Sequence, residues 1–123
     1  MDQNALVKDG CSLVRYLDET EVRPKAAVWA HSPDTDTWKL WIVPHDPLSE
    51  PEFYNQVSRV LSDHRDEMQG LDISTVEQKK PDHPAIKGLG SIIRFEGLGP
   101  LQFSNNMLNG FYLPDGIVLR MAL

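Results

Sequence analysis

The sequence is poor in cysteine, since Cys11 is the only one among its 123 residues. A lone thiol excludes the internal disulfide framework of small secreted domains and fits a reducing compartment. Residues 1–4 also lack the basic and then apolar layout of a secretory signal. We therefore expect a cytoplasmic protein.

The sequence also lacks a membrane-spanning run and a cluster of positive charge. No apolar stretch approaches the ~20 residues that cross a bilayer as a helix. The 12 Lys and Arg residues are scattered, with Lys79 and Lys80 the only adjacent pair, and the net charge is −6. Nucleic-acid-binding domains usually carry a basic face. These absences argue against a membrane protein and against a nucleic-acid partner.

What the sequence does contain is enough apolar material for one core. Hydrophobic residues make up 41% of the chain and charged residues 24%, close to the average of globular domains. Three Trp, three Tyr and four Phe supply large apolar side chains. The length is typical of one domain, so residues 1–123 are expected to form a single domain.

Two segments have the apolar spacing of amphipathic helices. The first covers residues 4–18, and the second covers about residues 50–69. The second helix has the stronger boundary signals, because Ser49 and Glu52 form a capping box and Gly70 is a typical stop. Both helices are expected to pack on a sheet.

The clearest strand signal is a hairpin. Two strand-like segments, residues 26–31 and 38–43, flank residues rich in Ser, Pro, Asp and Thr, which are typical of turns. A register in which Ser32 faces Thr37 sets the remaining residues of the two strands in opposed pairs.

Both faces of this hairpin carry apolar side chains in that register. Trp29 lies opposite Leu40 on one face, and Val28 lies opposite Trp41 on the other. A hairpin with one solvent-facing side alternates apolar and polar residues more cleanly. The second face is therefore either covered by more of the domain or offered to a partner, and its candidate interface residues are Val28, Trp41 and Val43.

The rest of the chain is expected to add further strands. The predicted elements are strands 71–76 and 91–96, a helical turn 84–87 closed by Gly88, and a final hairpin of 107–113 and 117–121 around Pro114-Asp115-Gly116. Runs of adjacent strands favour an antiparallel sheet with helices packed on it. The predicted class is α+β, with an antiparallel or mixed sheet of five or six strands and two main helices.

The histidines and the cysteine form no compact motif. No two of the four histidines, His31, His45, His64 and His83, have the one-turn helical spacing of zinc ligands. Cys11 lies within the first predicted helix and away from its positive N-terminal end, so nothing visible activates the thiol. The sequence favours structural or surface roles for these side chains.

Two local patterns resemble ligand loops without matching them. Asp34 and Asp36 alternate like the first ligands of a calcium loop but lack the glycine and the distant glutamate that complete it. Residues 87–91, Lys-Gly-Leu-Gly-Ser, resemble a phosphate cradle, but the lysine precedes the glycines instead of following them. We therefore expect no metal and no cofactor.

In the absence of a catalytic motif, the two-sided hairpin is the feature that most indicates a function. It favours a non-enzymatic adaptor or immunity-like module that binds a protein partner or a second copy of itself. The alternative is a small hydrolase-type enzyme whose site combines His31, Asp34, Asp36 and His45 from distant positions.

Overall fold

The chain folds into a five-stranded sheet with helices on both faces. The computed structural model describes residues 3–123. Within this range, residues 105, 106, 113 and 114 are described by their backbone alone. The helices are α1 (Gln3–Leu17), α2 (Glu50–Asp63) and α3 (Pro84–Ile92). The strands are β1 (Ala26–Ser32), β2 (Thr37–Val43), β3 (Val76–Gln78), β4 (Leu101–Leu108) and β5 (Phe111–Met121).

The strand order in the sheet is β3-β2-β1-β5-β4. Neighbouring strands are antiparallel except β2 and β3, which are parallel. The predicted class, an α+β fold with an antiparallel or mixed sheet, is therefore confirmed. β1 lies in the middle of the sheet, while β3 and β4 are its two edges.

The inner hairpin, by which we mean β1, β2 and the turn between them, has the predicted register. Ser32 pairs with Thr37, and Val28 pairs with Trp41. In the turn, Asp36 has a φ of 50°, a left-handed conformation that Asp tolerates better than most residues. Because β5 pairs with the other side of β1, this hairpin lies at the centre of the sheet.

Side chains of the inner hairpin alternate between two cores. Trp29 and its neighbours on that face pack beneath α1 and α2. Val28, Trp41 and Val43 pack beneath α3. Val28 and Val43 have no exposed surface, and Trp41 is 7% exposed. The prediction of an interface at these three residues is corrected accordingly, because the chain itself covers this face.

Helix α2 begins where the sequence predicts and ends earlier. The hydroxyl of Ser49 accepts a hydrogen bond from the Glu52 amide at 3.3 Å, which confirms the N-cap. The helix ends at Asp63, several residues before its predicted end. His64 then leaves helical geometry where its ring stacks on Tyr16 of α1, with the ring centroids 3.6 Å apart. The early end of α2 thus coincides with a contact between α1 and the residue that follows α2, which the periodicity of apolar residues does not predict.

The segment after α2 also differs from the prediction. Gly70 does not stop the helix, and its amide donates a hydrogen bond to Asp9 of α1 at 3.2 Å. The predicted strand 71–76 is wrong, because Ile73–Thr75 forms a 3-10 turn and β3 starts only at Val76. A short alternating pattern does not distinguish these structures.

Helix α3 replaces two predicted elements. The helical turn 84–87 continues as a helix to Ile92, so the predicted strand 91–96 is wrong. The imidazole of His83 caps this helix, since its Nδ1 accepts a hydrogen bond from the Ala85 amide at 3.2 Å. Proline at the first helical position adds a second start signal. Gly88 and Gly90, which resemble loop residues in the sequence, lie inside α3.

The final hairpin turns at Asn109-Gly110 and not at the predicted Pro114-Asp115-Gly116, which lies within β5. Asn109 has a φ of 51° and Gly110 a φ of 83°, the pair of positive values found in type I′ turns. Such turns match the twist of the two strands that they connect. The predicted boundaries of this hairpin are therefore wrong.

Candidate functional site

The longest uncharged part of the chain forms one edge of the sheet. Residues 97–114 contain no Asp, Glu, Lys, Arg or His, although charged residues make up 24% of the sequence. This stretch includes β4, the Asn109-Gly110 turn and the first residues of β5. We call residues 101–114 the outer hairpin. The outer hairpin therefore differs clearly in charge content from the sequence as a whole.

Strand β4 is an edge strand without the usual protection. Among the described residues, β4 pairs only with β5, so its other side presents main-chain groups outward. Proteins commonly shield such edges with short strands, charged side chains or a helical cover. β4 covers eight residues, Leu101–Leu108, and carries no charge. It is therefore suited to accept another extended strand.

Exposed apolar side chains accompany this edge. Large hydrophobic residues exposed in the described part of the chain are Ile92, Leu101, Met107 and Tyr112, at 67%, 43%, 67% and 52%. The last three belong to the outer hairpin, where Met107 pairs directly with Tyr112. The outer hairpin therefore combines an open edge with apolar side chains beside it.

The opposite side of the outer hairpin is fixed to the domain. Leu108 is buried against α3, and a Cβ atom on Gly88 would lie 2.9 Å from the Cβ of Leu108. Glycine is thus needed inside α3 for this close approach. The side-chain amide of Asn109 also donates a hydrogen bond to the Pro84 carbonyl at 3.2 Å. These contacts hold the hairpin in place while its edge stays accessible.

The other edge of the sheet is built differently. Strand β3 has three residues, and the amide of Gln78 donates to the Tyr54 hydroxyl of α2 at 3.0 Å. The Gln78 side chain donates to the Leu48 carbonyl at 2.9 Å. Glu77 and Lys79 add opposite charges, 3.8 Å apart. Length, charge and a side-chain cap all make β3 a poor template for another strand.

The structure brings together only part of the proposed catalytic set. Nε2 of His31 lies 2.8 Å from a carboxylate oxygen of Asp36. Its Nδ1 lies 3.9 Å from a carboxylate oxygen of Asp115, a neighbour that the sequence placed in a turn. Asp34 is exposed in the turn, and His45 lies beyond the opposite end of β2. Two members of the proposed set therefore meet, and two do not.

A carboxylate beside an imidazole can orient a general base, but His31 is badly placed for that role. Asp36 occupies Nε2 of His31. Nδ1 is buried, and among the described residues no group lies within hydrogen-bonding distance of it. Neither ring nitrogen is presented to a substrate, so the geometry gives the hydrolase hypothesis little support.

The remaining residues considered for chemistry take part in packing. His64 stacks on Tyr16. His83 caps α3 and lies between Trp41 and Phe111, with ring centroids 5.1 and 5.2 Å away. Cys11 is buried, and burial raises the pKa of its thiol, which disfavours the nucleophilic thiolate. The predicted phosphate-like segment 87–91 lies inside α3, where it forms no loop around a ligand.

In the part of the chain that the structure describes, no three His, Cys, Asp or Glu side chains are grouped so that they could hold a metal ion. None of the described helices is long and apolar enough to span a bilayer. No protein-family model, curated protein or solved structure matches the chain. Among the features of the described residues, the outer hairpin is the one that most indicates a function.

Proposed function

We propose that this chain is a non-enzymatic protein-binding module whose contact surface is the outer hairpin. The observation that carries the proposal is the uncharged edge of β4, flanked by exposed Leu101, Met107 and Tyr112. The inner hairpin, for which binding was predicted from the sequence, is the core that supports this surface. A cytoplasmic setting, expected from the single cysteine Cys11, fits such an adaptor-like role.

Strand addition is the mode of binding that the edge favours. An extended segment can pair with an exposed strand through main-chain hydrogen bonds, while side-chain contacts give specificity. Because β4 carries no charge, a partner does not have to desolvate an ionised group when it covers this edge. Exposed Met107 and Tyr112 then supply apolar area for side-chain contacts.

Site-specific photo-crosslinking in cells tests the proposal. A photoreactive phenylalanine analogue replaces Tyr112 in the full chain, and a matched variant carries it at exposed Asn55 on α2. We expect covalent adducts with polypeptide from position 112 that are missing from position 55. Equal adduct patterns at the two positions, or none at either, would argue against the outer hairpin as a binding surface.

A further inference from the structure

We infer that the extended segment that pairs with β4 is basic and places an arginine side chain opposite Ser104. The guanidinium group of this arginine lies in a hollow on the α1 face of the sheet and binds the carboxylate of Asp115. The inference rests on the proposed function, because it names the chemistry of the partner that binds the same edge.

The hollow lies beside the exposed edge of β4. It has a volume of about 380 Å³, and Gln102 and Ser104 of β4 form part of its wall. The other residues that line it are Gln3, Trp38, Phe103, Asp115, Gly116 and Ile117. The hollow is thus next to the residues with which an added strand would pair.

Contacts within the domain fix the face of the sheet on which the hollow lies. The side-chain amide of Gln102 donates a hydrogen bond to the side-chain oxygen of Gln3 in α1 at 2.8 Å, and Ile117 packs in the core beneath α1 and α2. Gln102 pairs with Ile117, and Ser104 pairs with Asp115 two residues further along. Because every second residue of a strand points to the same face, Ser104 and Asp115 lie on the α1 face as well.

A strand added to β4 would present one of its side chains to this hollow. Directly opposed residues of neighbouring strands point to the same face of a sheet, so the residue opposite Ser104 points to the α1 face. Neighbouring strands lie about 4.8 Å apart, which places the main chain of this residue about 10 Å from that of Asp115. A long cationic side chain can extend over the small Ser104 side chain to the Asp115 carboxylate.

The charges around the hollow favour a cation. Asp115 is the one charged residue among those that line the hollow. In the described part of the chain no Lys or Arg pairs with its carboxylate, and its ionisable neighbour is His31, whose Nδ1 lies 3.9 Å away. Nε2 of His31 is already 2.8 Å from Asp36. The two carboxylates therefore keep a net negative charge whether the imidazole between them is neutral or protonated.

The wall of the hollow favours arginine over lysine. Trp38 lines the hollow, and a guanidinium group stacks on aromatic rings more readily than an ammonium group does. A guanidinium group can also donate two parallel hydrogen bonds to one carboxylate, whereas lysine offers a point charge. The net charge of −6 attracts a basic segment from a distance as well.

Peptide selection against the full chain tests the inference. A phage-displayed library of random peptides is selected on the immobilised wild type, and the enriched peptides are sequenced and synthesised. Their affinities are then measured for the wild type and for Asp115→Asn, which removes the charge and keeps the size of the side chain. The variant Asp63→Asn, at an exposed position of α2, matches this change at a distant site.

We expect the selected pool to be enriched in arginine relative to the unselected library. The enriched peptides should bind Asp115→Asn at least about tenfold more weakly than the wild type, and bind Asp63→Asn with unchanged affinity. Replacing the arginine of the peptide by glutamate should abolish binding to the wild type, and Asp115→Arg should restore it. The arginine peptide should also suppress the adducts that form from position 112. Thermal melting of each variant checks that the domain remains folded.

Other outcomes overturn the inference in distinguishable ways. A pool without enrichment in arginine excludes a basic partner segment. An arginine peptide that binds Asp115→Asn as tightly as the wild type excludes Asp115 as its contact. In both cases, polypeptide adducts specific to position 112 would still support the proposed function. If position 112 gives no specific adducts either, the proposed function fails together with the inference.

Discussion

The inner and outer hairpins differ in what lies on each side of them. The inner hairpin has strand neighbours on both sides and helices over both faces, and β1 is the central strand. The outer hairpin is fixed to α3 through Leu108 and presents β4 as an edge. Apolar residues on both faces therefore identify a central hairpin, while missing charge beside exposed apolar residues is the basis of the proposed contact surface.

The largest expected effect comes from the tryptophan of the inner hairpin. Trp41→Ala removes a side chain that is 7% exposed, and should lower the free energy of unfolding by about 3–5 kcal/mol. Tyr112→Ala, in the outer hairpin, removes an aromatic ring that is 52% exposed, and should cost less than about 1 kcal/mol. Urea unfolding measures both values. The reverse order would contradict the assignment of core and surface.

The next effect concerns the contact between α3 and the outer hairpin. A side chain at Gly88 would lie 2.9 Å from Leu108, so Gly88→Val should destabilise the fold by about 1–3 kcal/mol through overpacking. Gly97→Val is the matched control, because a Cβ there would meet nothing within 4 Å. Equal unfolding free energies for the two variants would show that α3 does not pack closely on β4.

A substitution in the turn of the outer hairpin should lower the free energy of unfolding more than the exposed position of the turn indicates. Gly110 has a φ of 83°, and Gly110→Ala forces a Cβ into this left-handed conformation at a cost of about 1–2 kcal/mol. Gly97→Ala lacks a positive φ and should be nearly neutral. Thermal or urea unfolding compares the pair, and a neutral Gly110→Ala would argue against the Asn109-Gly110 turn.

The smallest expected effect is a pH dependence of the stability that comes from His83. Its ring contacts Trp41 of the inner hairpin and Phe111 of the outer hairpin. Burial lowers the pKa of His83 from its ordinary value of 6.5; the charge of Lys79 lowers it further, and Asp82 opposes the shift. The folded state therefore favours neutral His83, and below pH 6.5 the unfolded chain binds more protons. This contribution to stability is complete above pH 6.5 and is lost as the pH falls through the lower pKa of the folded state.

A non-titrating variant isolates this effect. Protonation of His83 also removes the Nδ1 acceptor that binds the Ala85 amide, whereas His83→Asn keeps a helix cap at every pH. Urea unfolding from neutral to mildly acidic pH should show a steeper loss of stability for the wild type than for His83→Asn. Identical slopes would mean that His83 contributes nothing to the pH dependence.

The sequence predicts those parts of the fold that depend on neighbouring residues. The inner hairpin register follows from its turn, and the start of α2 follows from Ser49. Only the first turn of α3 is predicted, because glycines such as Gly88 resemble helix breakers until their contact with β4 is known. The Asn109-Gly110 signal is present in the sequence, but the competing Pro114-Asp115-Gly116 segment has similar turn chemistry.

The candidate site is also only partly predictable from the sequence, because its position depends on contacts between distant residues. The uncharged stretch 97–114 is visible in the sequence, but its position at an edge depends on the strand order. The approach of Asp115 to His31 joins β5 to β1, and such long-range contacts leave no local pattern. The burial of Trp41 likewise depends on α3, of which only the first turn is predicted from the sequence.

The pairing of β1 with β5 has a consequence for how the chain folds during synthesis. Ala26 of β1 pairs with Met121 of β5, so the central strand lacks one of its two neighbours until residue 121 has been made. The inner hairpin can form early from local contacts, but it then exposes the edge of β1. Contacts between such distant segments slow folding, and exposed edges favour aggregation. We expect the docking of β5 onto β1 to be the late, rate-limiting step for the nascent chain.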